Sequence, residues 1–167
     1  MTSVTEPRTP TQSSIATVFQ VSQAARLARD VGKPLVIHTR QADEETAGLL
    51  EEEGAAEVGG VIHCFTGGEA LARRALALGF HISFSGIVTF PRSETIQNVA
   101  RTVPAGRLLV ETDSPFLAPP PHRGKRNEPA FVVEVARRVA ALRGASLEDV
   151  GAATRANFER FVGVARV

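Results

Sequence analysis

A chain of 167 residues, 43% hydrophobic and 22% charged, has the make-up of an ordinary globular domain, which excludes collagen-like, coiled-coil and wholly disordered classes. Its net charge of +1 is too balanced to mark a nucleic-acid or membrane-surface binder by itself, so any basic patch must be local. The single cysteine, Cys64, has no internal disulfide partner, and no apolar run reaches the about 20 residues of a membrane helix, so the expected compartment is a reducing cytoplasm.

Residues 1–14, rich in Thr, Ser and Pro, read as a loose tail, with one domain over 15–167. From Ile15 onward, helix-period and strand-period segments alternate. Val21, Ala24, Ala25 and Ala28 follow helical spacing until Gly32 and Pro34 stop it. A strand is expected at 35–38, a helix at 43–53 closed by Gly54, and a short apolar strand at 60–65. Then come a helix at 69–78 with Gly79 as a left-handed cap, a strand at 80–85, a helix at 93–103 and a strand at 108–113. A long loop at 114–129 breaks the rhythm, with prolines at 115, 119, 120, 121 and 129. Helices follow at 130–143 and 147–162, the second opened by Ser146 with Asp149 at the capping-box spacing. Short helix-to-strand connections require parallel strands, because parallel neighbours cannot be joined by a hairpin, and the class is therefore α/β.

Three strands finish on residue types that bind metals: His38, His63 and Asp113. The C-terminal strand ends of such sheets form the site-bearing face, so these side chains are expected to converge. A lone histidine at a strand end is ordinarily a core residue bonded to backbone; three candidate ligands together at equivalent positions point to a metal, with imidazole and carboxylate suiting Zn²⁺ or Mn²⁺ better than Mg²⁺. Glu111 shares the face of Asp113 and reads either as a partner of a ligand or as a buried acid held by an arginine. Strand alternation sends Cys64 to the face opposite His63. His81, at a strand start, is expected at the surface. Arg40 reads equally as a substrate contact or as half of a structural ion pair. Phe65 and Phe116 are the aromatics placed to touch a base.

Ile62-His63-Cys64-Phe65-Thr66-Gly67, Val110-Glu111-Thr112-Asp113-Ser114-Pro115 and His122-Arg123-Gly124-Lys125-Arg126-Asn127-Glu128-Pro129 closely resemble the signature segments of the TatD family of metal-dependent deoxyribonucleases. The resemblance runs from about Gln20 to Phe161 and takes in Ile37-His38-Thr39-Arg40 and Ser83-Phe84-Ser85-Gly86. It implies a TIM-barrel hydrolase with up to two divalent metals (Mg²⁺, Mn²⁺ or Zn²⁺) and a phosphodiester substrate such as DNA. On this resemblance His38 and His63 hold one metal, and Asp113 serves the other and acts on the attacking water. Arg123, Lys125 and Arg126 form the local basic patch, expected to grip phosphate together with Arg40; the plainer reading is a solvated basic loop.

The family's His-x-His pair and bridging glutamate have no match here, and a whole TIM barrel takes eight βα units and about 250 residues. The expectation is a partial barrel of about four βα units plus C-terminal helices. It should have exposed strand edges on both sides and should need a partner: a second copy or a complementing N-terminal half. The alternative to a nuclease is a catalytically impaired remnant that at most binds nucleic acid or metal weakly.

Overall fold

Four short parallel strands carry the site. In the computed structural model, which describes residues 12–163 and side chains from Val21 onward, they are β1 (Leu35–His38), β2 (Gly60–His63), β3 (His81–Phe84) and β4 (Leu108–Val110), adjacent in the order β1-β2-β3-β4. The helices are α1 (Gln12–Val31), α2 (Asp43–Glu52), α3 (Glu69–Ala77), α4 (Glu94–Thr102), α5 (Val132–Arg143) and α6 (Leu147–Val162). The expected tail falls outside the described residues up to residue 11, and residues 12–14 belong to α1. No helix among the described residues is long and apolar enough to cross a membrane.

The strand period explains how one sheet serves two environments. Leu35, Ile37, Ile62, Ile82, Phe84 and Leu108 are buried in the layer between the sheet and its helices, with Phe65, Phe80 and Leu50 completing a core whose largest members are under 2% exposed. The alternate residues face the other way, toward what would be a barrel interior. There Val36 pairs in register with Val61, and Val61 with His81; one step on, His38 pairs with His63, and Ser83 with Leu109. Strands β1, β2 and β3 thus each present one inner-face residue near the start and another near the end, while the three-residue β4 presents Leu109 alone.

Chain punctuation matches the residues that demand it. Gly54, Gly79 and Gly144 all sit in the left-handed region after helices, where a side chain would be strained. The Ser146 side chain accepts from the Asp149 amide while the Asp149 carboxylate accepts from Ser146, a complete capping box at the start of α6.

One expectation about the edges is corrected. The edge of β4 is covered rather than bare: α6 lies along it, and the buried Asn157 side chain donates to the carbonyls of Leu108 and Ala105, both at 2.7 Å. Those bonds satisfy acceptors that a neighbouring strand would otherwise take. The β1 side stays open. Among the described residues β2 is its strand neighbour, and Val36 remains 63% exposed on the inner face, lining a cleft that is also lined by the exposed Phe158 of α6.

Candidate metal centre

His63 ends β2 on the inner face, half-buried, and two carboxylates flank its ring. Its Nδ1 lies 2.9 Å from Glu111 Oε2 and 2.8 Å from Glu111 Oε1, and its Nε2 lies 3.4 Å from Asp113 Oδ1. Glu111 is fixed in turn by the Ser83 hydroxyl, which donates to Oε2 at 2.5 Å. The side chain is therefore neither free nor held by an arginine. It lies against Nδ1, and the other ring nitrogen, Nε2, faces Asp113. One ligand atom from each of His63, Glu111 and Asp113 fits within 4.8 Å of the others, close enough for one cation.

His38 is the register partner of His63, with ring centroids 6.0 Å apart and the planes tilted by 51°. It is exposed and borders the same centre from the neighbouring strand, outside the tight three-residue cluster. Nitrogen and carboxylate donors of this kind fit Zn²⁺ or Mn²⁺.

The strand expected to run to Asp113 stops at Val110, and the change of direction is what turns Asp113 toward His63. Asp113 adopts a φ of 58°, and Leu117 a φ of 57°, backbone positions that non-glycine residues seldom occupy and that sites retain when the surroundings enforce them. The enforcement is visible. Asn127, 2% exposed, donates to the carbonyls of Thr112 at 2.8 Å and Phe116 at 2.6 Å, and its own amide donates to the Pro115 carbonyl. Gly86 closes the other side: a β-carbon there would stand 1.8 Å from the Leu117 carbonyl oxygen. Gly86→Ala should accordingly displace the loop at 112–118 and destabilise the protein by about 1–3 kcal/mol, the range of an overpacked contact; a melting curve unchanged from wild type would contradict this close approach.

Cys64 corrects the alternation argument. It follows the last residue of β2 with a φ of 45°, so the strand period no longer applies, and it borders the same cavity as His38 and Asp113. It is buried, with Sγ 3.2 Å from Ser85 Oγ, and burial above all, with the nearby Asp113 and Glu111 carboxylates, pushes its thiol up to about 11. An unionised thiol of this kind is a filler and not a nucleophile.

A cavity of about 860 Å³ on the Asp113 side of the centre is bordered by His38, Arg40, Asp113 and the 68% exposed Phe116. Phe65 is not at its surface: at 1% exposure it lies in the core, edge-on to Phe84 with centroids 6.0 Å apart, so the expectation that it touches a base is withdrawn. Arg123 stacks on Phe90, its guanidinium carbon 3.8 Å from the ring centroid, while His122 stacks on Phe131 at 3.6 Å. These two contacts pin the basic loop, and Lys125 and Arg126 stay exposed on it. His81 is corrected as well; it is 6% exposed, not a surface residue.

Parallel strands joined by helices, with histidine and carboxylate side chains gathered at their C-terminal ends, are the architecture of part of a TIM barrel. A family profile described as "TatD related DNase" matches residues 7–163, and the chain belongs to that family. It is 50% identical over 135 residues to the "Uncharacterized metal-dependent hydrolase YcfH" of Escherichia coli K12, an alignment covering 81% of this chain and 51% of that protein. It is 33% identical over 154 residues to the "3'-5' ssDNA/RNA exonuclease TatD" of Erwinia amylovora, covering 88% and 59%. Among solved structures, YJJV, a TatD homologue from Escherichia coli K12, superposes with a TM-score of 0.84 at 25% identity, covering 92% of this chain and 59% of that one. The chain spans about half the length of the curated relatives it matches.

Proposed function

We propose that this chain carries part of a metal-dependent phosphodiesterase centre that hydrolyses DNA, with His63, Asp113 and His38 as the metal-holding residues and Glu111 as the acid that orients His63. The observation that carries this reading is the Glu111–His63–Asp113 alignment, in which one face of the imidazole is committed to a carboxylate and the other is aimed at a second. A divalent ion bound there would lower the pKa of a water and neutralise charge developing on a phosphate. Asp113, with one oxygen toward His63 and its backbone locked by Asn127, is placed to accept the proton of that water. Arg40 at the cavity rim, and Arg123, Lys125 and Arg126 on the pinned loop, supply cationic contacts for a phosphodiester backbone, and the exposed Phe116 offers a face for a base.

The nuclease name borne by the Erwinia relative supports nucleic acid as the substrate class. The open β1 edge and the exposed Val36 support cover by a second copy or by an N-terminal half of the barrel. A cytoplasmic location suits the unpaired Cys64. The test is cleavage of an end-labelled single-stranded oligonucleotide with Mn²⁺, Mg²⁺ or Zn²⁺, each with and without chelator. Hydrolysis that chelator abolishes is the expected result. Binding that survives chelator and fades with salt, with no cleavage, would replace this reading by an electrostatic nucleic-acid binder.

A further inference from the structure

At the opposite end of the strands from the metal centre, a cleft of about 420 Å³ is bordered by Gly60, Gly79 and Gly106, by Phe161 of α6, and by His81, Arg107 and Arg160. No acidic side chain lines it. His81 starts β3 on the inner face, 94% withdrawn from solvent, and neither ring nitrogen makes a hydrogen bond of ordinary geometry, the Gly60 backbone being the group that comes near enough to act on the ring. A buried imidazole without partners costs free energy that folding would ordinarily avoid, so the position calls for a group that both accepts and donates. The nearest protein alternatives are otherwise engaged. Phe161 meets the ring edge-on, at 5.9 Å between centroids. Arg107 Nη1 donates to the Gly79 carbonyl at 2.7 Å, and Arg160 Nη2 reaches Asn157 Oδ1 and the Gly106 carbonyl. Two guanidinium groups are thereby held at the rim around an unsatisfied ring.

We propose that this cleft binds a phosphate group, either as inorganic phosphate or as the monoester of a mononucleotide, with His81, Arg107 and Arg160 as its recognition residues. The chemistry matches on each side. A phosphate that keeps one hydroxyl offers acceptor oxygens to the imidazole N–H and the guanidinium groups, and an O–H donor to the other imidazole nitrogen. Burial foremost lowers the pKa of His81; the nearby Gly60 backbone opposes it, and Arg107 and Arg160 add smaller lowering influences. Arg107, in the turn before β4, and Arg160, on α6, are the charged groups that face the ring; β1 and β2 bring Pro34 and Gly60, which do not titrate. A bound anion offsets both arginines, so binding raises the His81 pKa and by reciprocity strengthens as pH falls.

The test follows the ring signals of all four histidines by NMR in metal-free protein during titration with inorganic phosphate and, separately, with a nucleoside monophosphate. The His81 signals should move saturably and its titration midpoint should rise. Arg160→Gln, at an exposed position and compared with wild type by a thermal melt, should weaken binding about tenfold, and Arg107→Lys should do so as well. Tighter binding of the nucleotide would identify a monoester as the ligand, and equal or tighter binding of phosphate the inorganic ion. Shifts confined to His122 would place phosphate on the basic loop and overturn the proposal. So would a His81 signal that does not saturate, or an affinity that Arg160→Gln leaves unchanged.

Discussion

Asp113→Asn is expected to abolish metal-dependent hydrolysis while leaving the protein folded. The substitution keeps the volume of the side chain and removes its charge at the point where Oδ1 stands 3.4 Å from His63 Nε2. An amide is a poor ligand for a divalent ion beside imidazole and takes no proton from water, so both proposed roles of this residue fail together. Outer partners of metal ligands ordinarily contribute 10–100-fold to affinity or activity, and a direct ligand that is also the base should exceed that, a loss of at least about 100-fold. Turnover of the oligonucleotide, followed beside a thermal melt of the same preparation, checks the result. Retained turnover would remove Asp113 from the chemistry.

The largest expected effect on stability comes from Phe84→Ala. Phe84 closes β3 with no exposed surface, meets Phe65 edge-on, and is the register partner of Val110 in β4. Truncation deletes a full ring from a core that has no nearby side chain free to fill the space. Changes of this kind cost about 3–5 kcal/mol. Against a total stability of order 5–15 kcal/mol, that lowers the melting temperature by roughly 10 °C or more. The loss should also reach the site, because the Phe84 carbonyl accepts the Glu111 amide at 2.9 Å and so sets the position of the acid behind His63. A melt within a degree or two of wild type would mean that the core repacks around the gap.

Much of this architecture was legible in the residues because the signals were local. The glycines at 54 and 79 stand where helices must end, Ser146 and Asp149 where one must begin, and the run Leu35-Val36-Ile37-His38 alternates in a way a strand imposes. The α/β class and the positions of the six helices follow from such features. What escaped notice depended on tertiary closure. Strand β4 ends three residues before Asp113 because its loop is captured from afar by Asn127, and Cys64 leaves the strand period because the backbone turns into a positive φ directly after His63. Alternation holds only while pairing holds, and neither break has a signal in its own segment.

Glu111 shows the same limit from another side. Its spacing two residues before Asp113 placed it near the site, yet its role depended on His63 and Ser83, which arrive from two other strands. His81, at a strand start, reads as a surface residue; α6 brings Phe161 onto its ring and the side chain is buried. The covering of the β4 edge likewise rests on Asn157, a polar residue inside a helix whose value appears only when Leu108 is beside it.

Whether His63 and Asp113, bordered by His38 and with Glu111 behind the imidazole, hold a metal is tested directly by a calorimetric titration of the folded, metal-free protein with Mn²⁺ or Zn²⁺. Saturable binding is expected, abolished by His63→Ala and weakened about 10–100-fold by Glu111→Gln, which keeps the side chain's shape and removes the charge that orients the imidazole. Binding that both variants leave unchanged, or no binding by a protein with a cooperative melt, would contradict the assignment of this cluster as a metal centre.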